Sequence, residues 1–416
     1  MQQLGVRSES TTATSLSTEA NLAAEKIPPL TTSTRLIGVL LLFLPVIFLL
    51  IFLLTGLDIQ TGLSNYMGFL IFVCFLSGSI QLLEIVRSLF STRRNTICRQ
   101  TNRFKLLDSP KIQPVSILFW AYNCKATFEE TIKSLLTIDY PEYELIVIND
   151  GSTDETLKML KNNFALEPIN KVFRRSLATS PVDEIYSSAK YPILTVVSKP
   201  HTGRADSLNI GLNLAKAPLV CIVDYGHVLS RDALVLLAKP FIEDPASTVM
   251  TSSTGEPQAD DGGSEDFVRS MKLVERKRLF HTSYTEQAAF CVANGIENAI
   301  TMVRKSYLLD LGGFRQDLEM ASGLVISTRL QSSLLAQEKD YRFCFIPDII
   351  CWRRTRIGMK PSYKRFMCWQ AYLLYALVNN LRMFINKKSF LQHLKLLFAL
   401  LLPVFELIGI LIALFA

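Results

Sequence analysis

The chain has 416 residues, of which 49% are hydrophobic and only 19% are charged, and its formal net charge is +7. This apolar composition excludes an ordinary, fully soluble protein, and the length allows one globular domain beside membrane segments. Many basic residues lie next to apolar runs, which suits a membrane surface rather than a nucleic acid. We therefore expect a membrane partner and no nucleic-acid partner.

The eight cysteines and four histidines show no spacing that is typical of a zinc site. None of the cysteines forms a Cys-x-x-Cys pair, which is the usual signature of structural zinc ligands. Several cysteines lie inside apolar stretches instead. We expect reduced thiols in a cytoplasmic domain, because disulfides are rare in that compartment.

Three apolar runs are long enough to cross a bilayer, which takes about 20 residues. They extend from Leu36 to Leu57, from about Met67 to Leu83, and from Leu394 to Ala416. The loop between the first two runs has no Lys or Arg, whereas the segment Arg87–Lys105 is densely basic. Because basic flanks stay on the cytoplasmic side, the middle of the chain is predicted to lie in the cytoplasm.

These runs divide the chain into six predicted segments. They are a disordered Ser/Thr/Ala-rich tail (1–35), two transmembrane helices (36–90), a basic juxtamembrane linker (91–110), a globular domain (111–352), amphipathic interface helices (353–390) and a C-terminal transmembrane helix (391–416). The interface location follows from the stretch Tyr363–Ile385, which mixes aromatic and basic residues.

The globular segment alternates predicted strands with predicted helices. The strands are Val115–Trp120, Tyr143–Ile148, Leu194–Val197 and Leu219–Val223, and the helices are Ala126–Leu136 and Ser207–Lys216. This alternation is typical of an α/β fold with a mostly parallel sheet and helices on both faces. The polar, acidic stretch Thr251–Asp266 is predicted to be an exposed loop.

Three polar clusters follow predicted strands, at Ala121–Asn123, Asn149–Asp154 and Asp224–His227. In open α/β sheets, ligands bind outside the carboxyl ends of the strands. The sequence therefore predicts a ligand site formed by these three clusters together.

The motifs of this segment resemble those of family 2 glycosyltransferases, whose domain has the GT-A fold. The resemblance begins with VSILFWAYNCKATFEETIKSLLTIDYPEYELIVINDGSTDET (115–156) and continues, in the family's order, through SKPHTGRADSLNIGLNLAKAPLVCIVDYGHVLSRDAL (198–234), VRKSYLLDLGGF (303–314) and IPDIICW (346–352). With its flanking apolar runs, the chain resembles bacterial processive synthases of poly-N-acetylglucosamine, hyaluronan and cellulose, which typically carry more C-terminal spans. The resemblance implies a place in the bacterial inner membrane and a role in exopolysaccharide or cell-surface glycan synthesis.

The resemblance also implies that a UDP-sugar binds at the strand ends. Matched position by position, the implied nucleotide-binding residues are Ala121, Tyr122, Asp150, Gly203, Arg204 and Asp224. Arg204 stands where the family usually has lysine, and a guanidinium binds phosphate well. The usual proline and glutamate of the first strand are Trp120 and Cys124.

The family's catalytic motifs are largely replaced, so no catalytic set is intact. The D-x-D motif, which holds a divalent metal on the diphosphate, reads Asp224-Tyr225-Gly226. Aligned from Arg329, the T-E-D motif with the general base becomes Ala321-Ser322-Gly323, and Q-x-x-R-W becomes the segment 365–369, of which only Trp369 remains. Because loss of a base alone typically costs about a hundredfold or more in rate, the pattern indicates a catalytically impaired protein.

Three residues could supply part of the missing chemistry. His227 could offer a metal a nitrogen, or it could be an ordinary loop or helix-start residue. Glu319 could act as a base or be a solvated carboxylate, and Trp369 could stack on a sugar or anchor the interface helix. The candidate metal ligands are thus Asp224 and His227, with Mg²⁺ or Mn²⁺ as the implied ion if any is bound.

The sequence leaves three functions open. The leading hypothesis is an impaired homologue that supports an active synthase or a secretion partner. The alternatives are a divergent but active transferase that uses Asp224, His227 and Glu319, and a nucleotide-sugar sensor that binds without turnover.

Overall fold

A computed structural model describes the greater part of the globular domain. The described residues are 109–125, 128–224, 226–253, 256–258, 300–315, 322–346, 348 and 350–354, with residues 47, 50, 51, 54, 60–62, 64–73, 75, 78, 79, 82, 370, 371, 374, 378 and 401 outside the domain.

The strands of the described part form two sheets. They are β1 Val115–Ala121, β2 Tyr143–Asp150, β3 Leu166–Pro168, β4 Glu184–Ser188, β5 Leu194–Lys199, β6 Leu219–Val223, β7 His227–Leu229, β8 Thr248–Ser253, β9 Glu256–Gln258, β10 Ile300–Arg304, β11 Arg342–Phe345 and β12 Cys351–Arg354. The large sheet has the order β11-β8-β10-β6-β1-β2-β5-β4-β3, and the small one has the order β7-β12-β9.

Helices cover both faces of the large sheet, as predicted. They are α1 Phe128–Leu136, α2 Thr156–Asn163, α3 Arg204–Leu214, α4 Ala233–Glu243, α5 Lys305–Asp310 and α6 Ser322–Ala336. Alternate strand residues point to opposite faces, so Ile117 and Phe119 of β1 pack in the cluster that contains α1 and α4. Leu118 packs in the other cluster, with α3 and α6.

The predicted α/β class is confirmed, and the parallel pattern holds at the centre of the sheet. Strands β6, β1, β2 and β5 run parallel to one another. On one side of these four strands, β4 is antiparallel to both β5 and β3. On the other side, β10 is antiparallel to both β6 and β8. The sheet of the described residues is therefore mixed around a parallel core. Parallel strands buried on both faces read as continuous apolar runs, which is why the sequence predicted these four.

The exposed loop predicted at Thr251–Asp266 is wrong for its first residues. Thr251, Ser252 and Ser253 are buried in β8, which lies between β10 and β11. The hydroxyl of Thr251 donates to the carbonyl of Leu237 at 2.9 Å, so the polar side chain is satisfied inside the fold. Residues 256–258 form β9, and the rest of the predicted loop lies outside the described residues.

The predicted membrane segments are described only in small part. No helix among the described residues combines the length and the apolarity that are needed to cross a bilayer. The tail, most of the basic linker, nearly all of the interface helices and most of the three apolar runs lie outside the described residues. The domain boundaries and the membrane orientation therefore remain predictions.

The turn at Gly312 and Gly313 ties α3 to the segment before α6. Oδ1 of Asn209 in α3 accepts a hydrogen bond from the backbone amide of Phe314 at 2.8 Å, and Nδ2 of Asn209 donates to the carbonyl of Phe314 at 2.9 Å. Arg329 of α6 donates to the carbonyls of Gly313 and Leu311 at 2.9 and 2.6 Å. Hydrogen bonds to this turn thus fix the position of α3, the helix that follows β5.

We expect Gly313→Ala to destabilise the domain more than the neighbouring Gly312→Ala. Both glycines have φ near +75°, at +75° and +77°, so each alanine costs about 1–2 kcal/mol of backbone strain. A Cβ at Gly313 would also lie 2.4 Å from Oδ1 of Asn209, whereas none of the described atoms lies within 4 Å of one at Gly312. Crowding should add about 1–3 kcal/mol. Urea unfolding of both variants measures the difference, and equal midpoints would contradict the role given to Asn209.

Candidate functional site

The structure brings the three predicted polar clusters to one edge of the large sheet. β1 and β2 are paired up to Ala121 and Asn149, and β2 and β5 up to Asp150 and Lys199. β6, which ends just before Asp224, pairs with β1 on the other side. Since these strands are parallel, their carboxyl ends open on the same side, as the sequence predicted.

The carboxylate of Asp150 is the most heavily bonded group of this edge. It is fully buried, and Oδ1 accepts from Nζ of Lys199 at 2.5 Å and from the amide of Thr202 at 3.0 Å. Oδ2 accepts from the amide of Gly203 at 3.0 Å and from the indole of Trp120 at 3.3 Å. Asp150 therefore fixes the loop between β5 and α3, and its side chain is engaged by protein groups.

Lys199 and Asp206 complete this buried cluster, and the sequence reasoning missed both. Nζ of Lys199 lies 3.2 Å from Oδ2 of Asp206 and 3.3 Å from the hydroxyl of Ser207, and its side chain is fully buried. A lysine at the end of an apolar strand, followed by an aspartate in the next helix, was the available signal. One ammonium between two carboxylates offsets the cost of burying each of them.

Asp206 is the second carboxylate of the cluster. Burial alone would raise the pKa of Asp206, but hydrogen bonds from Ser180 and Thr202 and the charge of Lys199 outweigh that effect and lower the pKa. The amide of Ser180 donates at 3.0 Å and the hydroxyl of Thr202 at 2.7 Å. The carboxylate therefore stays ionised in the folded protein.

An aromatic stack lies above Asp150. The ring centroids of Tyr122 and His201 are 4.1 Å apart and the rings are inclined by 17°, and the centroids of Trp120 and Tyr122 are 6.4 Å apart with an inclination of 13°. Nδ1 of His201 is 3.0 Å from Oδ2 of Asp150. Tyr122 is half-buried, while Ala121 is fully buried and exposes no surface to a ligand at this edge. The stack offers a flat, polarisable surface of the kind on which a nucleobase packs.

Asn123 fastens the rim of the site to the turn after β2. Its side-chain Oδ1 accepts a hydrogen bond from the backbone amide of Thr153 at 2.8 Å, and its backbone amide donates to the hydroxyl of Ser152 at 3.2 Å. The next residue, Cys124, is buried, and burial raises the pKa of its thiol to about 12. The rim carries a neutral thiol at this position, where the family usually has a glutamate.

Arg204 and Asp224, both predicted to contact the nucleotide, are paired with each other. Nε and Nη2 of Arg204 lie 3.1 and 2.6 Å from Oδ1 of Asp224. The arginine side chain is 7% exposed and that of the aspartate is 33% exposed. Arg204 is the first residue of α3, which begins after Gly203. The helix start therefore places the guanidinium beside the end of β6.

The described residues do not fit the metal that the D-x-D motif implies. One oxygen of Asp224 is engaged by Arg204, and Gly226 has no side-chain donor. His227 is buried at the start of β7 rather than in a loop or at a helix start, and its Nδ1 lies 3.0 Å from the carbonyl of Asp224. Within the described chain, no three acidic, histidine or cysteine side chains converge on a possible ion position.

The other catalytic candidates are described little or not at all. Glu319, Trp369 and Ala321 lie outside the described residues, so their proposed roles stay untested. Ser322 and Gly323, which stand where the family has the end of T-E-D, begin helix α6.

We predict that Asp206→Asn makes the unfolding free energy less dependent on pH in the acidic range. Because the folded-state pKa of Asp206 is lowered, its stabilisation is present above the unfolded-state pKa of about 3.9 and disappears as the pH falls through the folded value. Wild-type protein should therefore lose more unfolding free energy between about pH 5 and pH 3 than the variant. Urea unfolding followed by tryptophan fluorescence measures this. Glu167→Gln, which removes an exposed carboxyl, is the control, and parallel curves for wild type and Asp206→Asn would refute the prediction.

Comparison with known proteins supports the resemblance drawn from the motifs. The family model "Glycosyl transferase family 2" matches residues 116–308. A poly-β-1,6-N-acetyl-D-glucosamine synthase of Staphylococcus epidermidis is 25% identical over 270 residues, which are 64% of this chain and 57% of that protein. The same-named protein of Staphylococcus aureus (strain COL) is 22% identical over 303 residues, 73% of this chain and 65% of its own. The chain thus matches less than two thirds of the length of these relatives.

Among solved structures, a mannosyltransferase from Pyrobaculum calidifontis in complex with GDP-Man and Mn²⁺ aligns with a TM-score of 0.48 and 17% identity. The alignment covers 81% of this chain and 85% of that one. Residues 116–308 thus match glycosyltransferase family 2, and poly-β-1,6-N-acetyl-D-glucosamine synthases are distant relatives of the chain.

Proposed function

We propose that this chain binds a UDP-sugar at the strand-end edge and is impaired in sugar transfer. The observation that carries the proposal is the pairing of Arg204 with Asp224. It occupies the one carboxylate of the D-x-D motif that the sequence retains, beside an aromatic surface suited to a nucleobase. A site that keeps its binding surface, but in which Asp224 is paired with Arg204 instead of being available to a metal, favours binding over turnover.

The sequence around α6 supports the same proposal. The helix begins with Ser322 and Gly323, neither of which accepts a proton from an acceptor hydroxyl at neutral pH. Arg329, from which this alignment is counted, bonds the Gly312–Gly313 turn. Since general-base catalysis typically contributes about 10²–10⁴-fold to rate, its loss together with that of the metal would leave little transfer.

We further propose that the chain is anchored at the cytoplasmic face of a bacterial inner membrane, in surface-polysaccharide synthesis beside an active synthase. Large apolar side chains are exposed on the described helical residues before the domain, including Leu54 at 84%, Phe75 at 73% and Ile71 at 66%. Exposed apolar side chains in such number suit a lipid environment or a protein partner. The family relatives suggest the setting, and the weakened catalytic motifs suggest the supporting role.

A nucleotide-sugar sensor is the second candidate, and the Arg204–Asp224 pair favours it specifically. A positive group held in place without an added ion can recognise a diphosphate while supplying no activated base. The sensor and the scaffold differ in whether nucleotide binding changes the behaviour of the partner synthase.

The aromatic stack should contribute to nucleotide binding. Tyr122→Ala should weaken UDP binding by about tenfold, because stacking of a base on an aromatic ring is worth about 1–3 kcal/mol. Tyr122→Phe, which keeps the ring and removes the hydroxyl, should bind as the wild type does. Isothermal titration with UDP distinguishes them, and equal binding by the alanine variant would exclude Tyr122 from the nucleotide site.

Under the proposed function, turnover should be slow. The chain should release UDP from UDP-N-acetylglucosamine at a rate about a hundredfold or more below that of an intact poly-N-acetylglucosamine synthase. A coupled UDP-release assay on both proteins, in the same membranes with Mn²⁺ and Mg²⁺ present, measures it. Comparable rates would show that this chain is a working transferase.

A further inference from the structure

The cation of the candidate site is where this chain differs most from its family. Family 2 enzymes are expected to place a divalent ion on D-x-D carboxylates to offset diphosphate charge. Here a guanidinium already lies on the retained carboxylate, with Nε and Nη2 of Arg204 at 3.1 and 2.6 Å from Oδ1 of Asp224. The positive charge at this point of the edge is supplied by the chain itself.

We propose that Arg204 replaces the divalent ion, so that the site binds the diphosphate of a UDP-sugar without a metal. In this arrangement Asp224 orients the guanidinium instead of holding an ion. The inference rests on the nucleotide binding proposed above and names how that binding is achieved.

The chemistry of arginine suits this role. A guanidinium remains protonated at any physiological pH and has five N–H donors in a planar fork that matches phosphate oxygens. The contact with Asp224 uses Nε and Nη2, and Nη1 lies outside it. The aspartate side chain is more exposed than the arginine, 33% against 7%. The pair is therefore partly open to solvent.

Binding of a metal to Asp224 would have to compete with this pair. The ion would displace a largely buried guanidinium and leave it without its carboxylate, which is costly for a buried charge. A second carboxylate would offset that cost, but the position that should supply it is Gly226. The adjacent His227 already directs Nδ1 towards the carbonyl of Asp224 at 3.0 Å. The residues around Asp224 thus favour Arg204 over a metal ion as its partner.

The direct test is isothermal titration of the full 416-residue chain, purified in detergent, with UDP in EDTA and in Mn²⁺. We expect the same dissociation constant in both buffers, within about twofold. Binding that requires Mn²⁺ would overturn this inference and leave the proposed nucleotide binding intact. Failure to bind UDP in either buffer would overturn the proposed nucleotide binding, and with it this inference.

Three variants separate the roles of the pair. Arg204→Ala should weaken UDP binding by about 10- to 100-fold in EDTA, because charge-assisted hydrogen bonds to the diphosphate are lost. Arg204→Lys should keep part of the affinity. Asp224→Asn should retain or tighten binding, since it removes a negative charge that competes with the phosphates for Arg204. If Asp224 held a metal, the same change would weaken binding in Mn²⁺, which would contradict the inference.

A gain-of-function pair completes the test. Gly226→Asp restores the second carboxylate of D-x-D, and no described atom lies within 4 Å of a Cβ at this position. Gly226→Asn has the same shape and the same strain at φ +76° but no charge. We expect the aspartate variant alone to bind UDP more tightly in Mn²⁺ than in EDTA. Mn²⁺ dependence already present in wild type, or equal in both variants, would refute the substitution of Arg204 for the ion, and thermal unfolding verifies that each variant is folded.

Discussion

The buried carboxylate of Asp150 is the group on which the ligand edge depends. It joins the end of β2 to the ammonium of Lys199 at the end of β5 and to two backbone amides of the following loop. That loop leads directly into α3, so the position of Arg204 follows from it. Removal of one partner from a buried ion pair typically costs about 3–5 kcal/mol, because the remaining charge is left without compensation. Loss of either charge would therefore destabilise the whole edge.

Two charge clusters with different exposure lie side by side at this edge. The first, formed by Asp150, Lys199 and Asp206, is fully enclosed and satisfied by protein groups, so its work is structural. The second, Arg204 with Asp224, is partly open to solvent. The first cluster fixes the backbone and the second faces the place where a ligand would bind. Under the proposed function, this division would let the chain lose residues that perform chemistry and keep its binding edge.

The sequence predicted the four central strands well because each is a continuous apolar run that is buried on both faces. It missed the flanking strands for physical reasons. β8 contains Thr248, Thr251 and two serines, and both threonine hydroxyls are satisfied by carbonyls of α4, which makes a polar segment compatible with the core. β4 and β10 run antiparallel to the parallel centre, and short apolar stretches do not reveal such pairing.

The predicted site residues Tyr122, Asp150, Arg204 and Asp224 lie together at one edge, because strand-end position alone is enough to place them. The sequence did not predict that Arg204 pairs with Asp224. The Arg204–Asp224 contact depends on where α3 begins, at Arg204 rather than at the predicted Ser207, and on how that helix meets β6. Likewise, the position of Lys199 at the end of an apolar strand indicates burial, but the sequence does not show that its ammonium lies between two carboxylates.

The small sheet has a consequence for how the chain acquires its shape during synthesis. β7, which begins three residues after Asp224, finds its partner in β12, about 120 residues later in the chain. Closing so long a loop costs entropy before any contact compensates it. The β7–β12 pair can therefore form only after almost the whole domain has left the ribosome, whereas β1 and β2 can pair much earlier. Until then β7 remains an unpaired edge, and a cell that makes this protein would have to protect that edge from association with other chains.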